Sequence, residues 1–382
     1  LWWAPLIHHH DSVLLIRPGC RPKLYYYQPD DYWHLPPADP ESWWADEFEV
    51  VAVRDTETWK QAGINSKTAC IGDAPDLAEI SNSSQLNPAR LLNRIHLERT
   101  RKTPYEIACI AEAARLGAVA HTAAEQAFKE GLSEYEIHQR YCMSIQLVDA
   151  ELPYGNIVAL NEHGAVLHYQ AHEQVLPRDV RSFLIDAGAT VHAYASDITR
   201  TYAAEHGEFA EMIGAMDSMQ RELCAAVVAG LDYRDLHLRA HLDIAGILRD
   251  FDIIKASAED AVASGLSAVF YPHGLGHYLG LQTHDVAGLI ADVDGTPIPR
   301  PDGHPFLRLT RTLEPGNVLT IEPGLYFIEP LLRKWRENGD AAAINWDKVE
   351  QLAPFGGVRI EDNMVVTDGA PLNLTRDAFA SI

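Results

Sequence analysis

Four carboxylates interrupt runs of residues that otherwise read as buried strands. Asp186 ends the apolar run SFLIDAGA, and Asp197 opens DITRTY eleven residues later; Glu322 divides VLTIEPGLYF, and Glu361 sits in GVRIEDNMVV. Burying a carboxylate is costly unless it is paired or bound to a cation. A chain built this way must fold so that its strands bring these groups to shared partners. Each has an ordinary reading when taken alone. Strand-end aspartates commonly cap turns, and Arg359, placed by period-two geometry on the face of Glu361, would make a simple buried ion pair. Glu322 is expected mid-strand with Thr320 on its face. Two apolar strands each with a central Glu, besides the two Asp, exceed what structural pairing needs.

The segment YPHGLGHYLGLQTHD (271–285) adds His273, His277 and His284 among glycines and apolar residues. A four-residue spacing suits two imidazoles on one helix face, as in many zinc sites. Here Gly274 and Gly276 argue for an irregular loop instead. Four carboxylates with one imidazole favour Mn²⁺, Co²⁺ or Zn²⁺ over copper or an iron–sulfur cluster. Their charge of about −4 matches two divalent cations, and a pair about 3.5–4 Å apart can share a hydroxide and clamp the transition state of a hydrolysis.

The chain's organisation supports such a convergence. Its 382 residues exceed one ordinary core, so two domains are expected. SVLLI (12–16), KLYYY (23–27) and FEVVAV (48–53) read as strands of a small α/β domain, and DAPDLAEI as a short helix. The loop QPDDYWHLPPADPESWW reads as irregular surface, with a dimer or active-site-edge contact as the alternative. A boundary is expected at 102/103, because Thr103-Pro104-Tyr105-Glu106 carries a capping hydroxyl, Pro at the first helical position and Glu at the capping-box position. An Ala-rich helix follows, then a second from Ser133, then strands at 156–160, 182–188 and 197–202. The order recurs: helical stretches near 208–228 and 233–250 precede strands at 318–327 and 357–367. Two helices then strands, given twice, predict an α+β domain (103–382) of two similar halves meeting across a shared sheet.

The formal charge of −23 argues against nucleic acid, which needs a basic surface. No apolar run reaches the roughly 20 residues of a membrane span. The five scattered cysteines suit reduced thiols in the cytoplasm rather than a disulfide framework. The chain starts at Leu1 rather than Met, so its native start is expected upstream. His8, His9 and His10 lie inside an apolar run and read as native sequence.

The motifs DAGA…SDITRTY, HGLGHYLG…HD, LTIEPGLY and GVRIEDN resemble, in order and spacing, those of the pita-bread metallopeptidases. The chain most resembles the prolidase branch, the Xaa-Pro dipeptidases, especially bacterial prolidases also described as organophosphorus acid anhydrolases. The resemblance implies a pita-bread catalytic domain of two ααββ halves after a smaller creatinase/prolidase-type α/β domain (1–102). It implies two divalent ions per subunit, most simply Mn²⁺. Asp186, Asp197 and Glu361 would hold one, and Asp197, His277, Glu322 and Glu361 the other. A bridging hydroxide would attack the scissile carbonyl, with Glu322 as proton acceptor and later donor to the proline nitrogen. His284 and His168 would stabilise the oxyanion, while His273 and Arg359 would lie near the substrate carboxylate and the ligands. Arg308 is the expected partner of the substrate's C-terminal carboxylate, with Arg311 as substitute, and Tyr154, Tyr233 and Leu167 are expected pocket walls.

Each of these residues also has a structural reading, as half-buried tyrosines, a surface Arg or a core His. The substrate implied is a small Xaa-Pro peptide, the assembly a homodimer, and hydrolysis of phosphotriesters an accidental activity of the same site. The alternatives are an Xaa-Pro aminopeptidase acting on longer peptides, and a non-catalytic binding protein of the same fold. The second would have lost metal ligands, and all five positions here carry usable side chains.

Overall fold

A computed structural model describes residues 2–4, 6, 11–41, 43–55, 58, 67–72 and 86–382. His8 to His10 and the expected helix DAPDLAEI lie outside the described residues. The chain divides into two compact units, Leu1–Ile95 with Val293–Gly295, and His96–Asp292 with Thr296–Ile382.

In the first unit, β1 (Val13–Leu15) pairs antiparallel with β2 (Lys23–Tyr27), and β3 (Glu49–Val53) lies parallel on its other side. Alternation along β2 sends Leu24 and Tyr26 to one core with Phe48, and Tyr25 to another with Val53 and Cys70. The Trp-rich loop is surface, with Tyr32 85%, Trp33 75% and Leu35 95% exposed.

The helix Ala89–Arg99 ends inside the second unit, and the helix Pro104–Lys129 follows. Thr103 and Glu106 form the anticipated reciprocal capping box, and Ser133 with Glu136 repeats it ahead of Glu134–Ile145. The helix Pro104–Lys129 is long and apolar enough to cross a membrane by length and composition alone. Half of that stretch is buried in the unit's core, which accounts for its apolarity. β4 (Ile157–Leu160), β5 (Ser182–Asp186) and β8 (Thr199–Ala203) form an antiparallel sheet, with the hairpin β6 (Thr190–Val191) and β7 (Tyr194–Ala195) between the last two. The helices Glu208–Ala225 and Tyr233–Asp250 follow. The second half pairs β9 (Val318–Ile321) with β12 (Asp362–Val365) and β13 (Leu372–Asn373), and β10 (Gly324–Tyr326) with β11 (Gly357–Arg359). A bridge between Thr199 and Glu361 joins the two halves.

One expectation needs correction. The runs VLTIEPGLYF and GVRIEDNMVV are not continuous strands. The first breaks at Glu322-Pro323, and the second at Ile360-Glu361. Pro323 has no N–H for a ladder, so the strand cannot continue through it. Both glutamates therefore stand at breaks between strands, not mid-strand.

Candidate metal centre

The breaks in the second half and the strand ends in the first meet at one cavity of about 740 Å³. Asp186 comes from the end of β5, Asp197 from the approach to β8, Glu322 and Glu361 from the two breaks, and His277 from the glycine loop. All five line the cavity. Asp197, His277 and Glu361 each offer one ligand atom within 4.8 Å of the others'. His277 Nε2 lies 3.3 Å from Asp197 Oδ2 and 3.5 Å from Glu322 Oε1. The Tyr154 hydroxyl donates to Asp186 Oδ1 at 2.8 Å and also contacts Asp197, tying the two aspartates together.

Supporting groups fix these side chains. His277 Nδ1 donates to the Tyr278 carbonyl at 2.9 Å, which turns Nε2 toward the carboxylates. Thr199 donates to Glu361 Oε2 at 2.8 Å, and Asn363 brackets the Asp197 backbone with its side-chain amide. Arg359 donates to Asp186 Oδ2 at 2.8 Å and to the Tyr326 hydroxyl at 2.7 Å. That hydroxyl bonds His273 Nε2 at 2.9 Å, and His273 Nδ1 donates to the Gly274 carbonyl at 2.9 Å. Sequence pattern alone does not single out Tyr326, Thr199 or Asn363. A signal existed for two of them: Thr199 stands two residues after Asp197 and Asn363 two after Glu361.

The donor set fits divalent cations. Four carboxylates share the cavity with a single guanidinium contacting them. Desolvation, offset in part by His277, and repulsion from Asp197 push Glu322 up to about 7. Desolvation and the surrounding acids also drive Glu361 well above the carboxylate range, and desolvation raises Asp186 against the pull of Arg359. Asp197 alone falls, because hydrogen bonds and charge from His277 outweigh its burial. A cavity that holds carboxylates protonated near neutrality is short of positive charge, which bound cations supply.

This has a measurable consequence. A carboxyl raised from its unfolded value to about 7 destabilises the metal-free fold as pH climbs through that window. Cation binding must also expel the retained protons. The rise in Tm on adding Mn²⁺ is therefore expected to be larger at pH 8 than at pH 6. Titration calorimetry near pH 6.5 in buffers of different ionisation enthalpy should show protons released. A pH-independent rise in Tm with no released proton would refute the electrostatic account.

His168, Leu167, His273, His284 and Arg308 also line the cavity. The His284 ring packs edge-on to His277 at 4.3 Å between centroids. Desolvation and the neighbouring His277 push it down to about 4, so it is neutral at working pH and able to donate. Arg308 presents its guanidinium to the cavity with no hydrogen bond or ion pair to any described residue. Arg311 is excluded as its substitute: it does not line the cavity, and its guanidinium is spent on the Ile290 and Ala291 carbonyls and on Glu314. Tyr233, expected as a wall, is also corrected. It is fully buried behind the loop and donates to the Thr320 carbonyl at 3.0 Å. Tyr154 does line the cavity, and its hydroxyl is engaged with Asp186 and Asp197.

A family model described as metallopeptidase family M24 matches residues 108–368, and one described as Xaa-Pro dipeptidase, N-terminal domain, matches residues 2–97. A Xaa-Pro dipeptidase of Xanthomonas campestris pv. campestris (strain B100) is 51% identical over 382 residues, covering 99% of this chain and 86% of that protein. Among solved structures, aminopeptidase P from E. coli with the inhibitor Pro-Leu is 28% identical with a TM-score of 0.57; the match covers 75% of this chain and 58% of that one, less than two thirds. Zn-substituted E. coli aminopeptidase P in complex with product aligns over 96% of this chain and 83% of that one, with TM-score 0.73 and 22% identity. The last likeness concerns the fold alone.

Proposed function

The chain belongs to metallopeptidase family M24, and on that premise we propose that it is a Xaa-Pro dipeptidase whose carboxylates and His277 hold two divalent cations. The observation that carries this reading is the convergence of Asp197, His277 and Glu361 atoms within 4.8 Å in a cavity that also presents a free guanidinium. Asp186, Asp197 and Glu361 would hold one cation, and Asp197, His277, Glu322 and Glu361 the other. When bound, the cations polarise the scissile carbonyl and acidify water, a contribution that needs no N–H on the substrate. That matters here because a bond to proline nitrogen is a tertiary amide without a donor.

The chain's own groups do the rest. Glu322, which lines the cavity beside His277, would accept a proton and return it to the proline nitrogen. Neutral His284, with His168 on the same cavity wall, is positioned to donate to the developing oxyanion. Arg359, Tyr326 and His273 form a hydrogen-bonded chain that holds Asp186 in place and keeps His273 beside Glu322, with Nδ1 3.8 Å from Oε2. Leu167 supplies apolar wall. Arg308 would take the free C-terminal carboxylate and so restrict length to dipeptides.

The decisive test is turnover of Xaa-Pro against Xaa-Pro-Xaa peptides, with and without chelator. Activity on the longer peptides alone would favour an aminopeptidase, and no loss on chelation would refute metal dependence. Arg308→Ala is expected to raise KM for Xaa-Pro dipeptides about 10- to 100-fold, the value of a lost charge-assisted hydrogen bond. An uncharged ester analogue should be unaffected. Equal effects on both substrates would remove Arg308 from carboxylate recognition. Mn²⁺ as the resident ion, a homodimer, a cytoplasmic site of action and a domain division at 102/103 belong to the same proposal. Metal analysis, sedimentation, cell fractionation and limited proteolysis test them.

A further inference from the structure

Away from the carboxylates, the helix Tyr233–Asp250 carries His237 and His241 one turn apart, so both rings project from one face. A third imidazole, His304, reaches them from the segment that also bears Phe306 and Arg308 of the cavity wall. His237 Nε2 stands 3.0 Å from His304 Nδ1, and the three ring centroids lie 4.4 to 4.7 Å apart. One nitrogen from each ring falls within 4.8 Å of one from each of the others.

The cluster is not self-sufficient. His237 and His241 are each only 1% exposed, yet His237 Nδ1 and His241 Nε2 have no hydrogen-bond partner. The hydroxyl of Tyr271, whose ring packs 4.5 Å from His241, is likewise buried and unpartnered. His241 Nδ1 meets Ser267 Oγ at 3.0 Å, which fixes that ring and leaves Nε2 free. His237 Nδ1 lies across its ring from the Nε2 that faces His304, so the unpartnered nitrogen that a shared ligand would satisfy is His241 Nε2. Burial and the neighbouring histidines keep His237 and His241 neutral, so each ring retains a lone pair.

We propose that His237, His241 and His304 form a third metal site, separate from the carboxylate centre, that binds a late first-row ion of the Zn²⁺ class. Nitrogen-only donors disfavour Mn²⁺ and Mg²⁺ and favour Zn²⁺, Ni²⁺ or Cu²⁺. Zn–N bonds of about 2.0–2.1 Å at tetrahedral angles separate ligand nitrogens by about 3.4 Å. Only a small spreading of the 3.0 Å pair is needed. The bound ion clamps the 300–308 segment to the helix. Its effect on substrate binding rests on the role proposed for Arg308; metal binding itself does not.

The test uses the whole chain with its carboxylate centre filled by Mn²⁺, then titrated with Zn²⁺ and freed of excess metal. One further zinc per chain is expected, with two Mn²⁺ retained and Tm raised. Zinc-edge X-ray absorption should show an imidazole-only protein shell. His304→Gln, at a partly exposed position, should lose that one equivalent and the added stabilisation while keeping the other two. Zinc that only displaces Mn²⁺, a carboxylate-rich zinc shell in the wild type, or a third equivalent that persists in His304→Gln would each overturn the proposal.

Discussion

Glu361→Gln is expected to reduce kcat/KM for Xaa-Pro dipeptides at least about 10³-fold while leaving the metal-free protein as stable as the parent or more so. Glu361 is 2% exposed, and Thr199 donates to its Oε2 at 2.8 Å. Glutamine keeps the volume and an oxygen for Thr199 but removes the negative charge. In the metal-free cavity that charge is a liability, since burial and three neighbouring acids drive its carboxyl well above the usual range. Its removal therefore relieves the fold while depriving both proposed cations of a donor. A bound cation is worth several kcal/mol of transition-state stabilisation, and about 4 kcal/mol corresponds to about 10³ in rate. The measurements are kcat/KM, metal content and Tm with and without Mn²⁺. A variant with two ions and parental turnover would remove Glu361 from the centre.

Gly276→Ala should be nearly as damaging, for steric reasons. A Cβ at this position would lie 2.1 Å from the Thr320 carbonyl oxygen, 2.5 Å from the Tyr233 hydroxyl and 2.7 Å from Thr320 Oγ1. The backbone oxygen cannot swing away, because β9 is laced to the loop on both sides of Gly276. Thr320 N donates to the His277 carbonyl and Glu322 N to the Leu275 carbonyl, each at 2.9 Å. Relief must displace the loop, and His277 moves with it. An overpacked core position of this kind costs about 1–3 kcal/mol. A ligand shifted by about 1 Å costs about 10²-fold in rate. Gly214→Ala is the control: it sits inside the helix Glu208–Ala225 with open space around the new methyl, and should gain up to about 1 kcal/mol. Parental Tm and turnover in Gly276→Ala would show that the loop accommodates a side chain, and the close-approach argument would fall.

The parts of this protein legible in its sequence are those governed by local rules. The capping boxes at Thr103 and Ser133 start helices because side chain and backbone satisfy each other within four residues. The irregularity of the HGLGH loop follows from its glycines. The recurrence of two helices before strands announces the two halves, and Asp186 ends β5 as its motif suggests, whereas Asp197 precedes β8 by two residues instead of opening it. Misreadings arose where the outcome depends on distant partners. Glu322 and Glu361 looked like mid-strand residues because alternation holds on either side of them, but Pro323 and the Thr199–Glu361 bridge decide the breaks. Tyr233 looked like a pocket wall, yet a carbonyl 87 residues away captures its hydroxyl. FLRLTR offers Arg308 first and Arg311 as substitute, and only the fold decides between them: the carbonyls of Ile290 and Ala291 claim Arg311 and leave Arg308 free.

Read along the chain alone, four carboxylates and a histidine loop interrupt runs that otherwise read as buried, a cost that shared cations would relieve. How these groups meet is set by the folded chain. It set the 3.3 Å and 3.5 Å approaches of His277 to Asp197 and Glu322, and left one arginine of two free for a substrate. It also brought His304 across 63 residues of chain to His241. The physical reason is one of range. Propensity, capping and the cost of a buried charge act within a few residues and are written in order along the chain. Hydrogen-bond competition, desolvation and steric exclusion act between whatever the fold brings within a few ångströms.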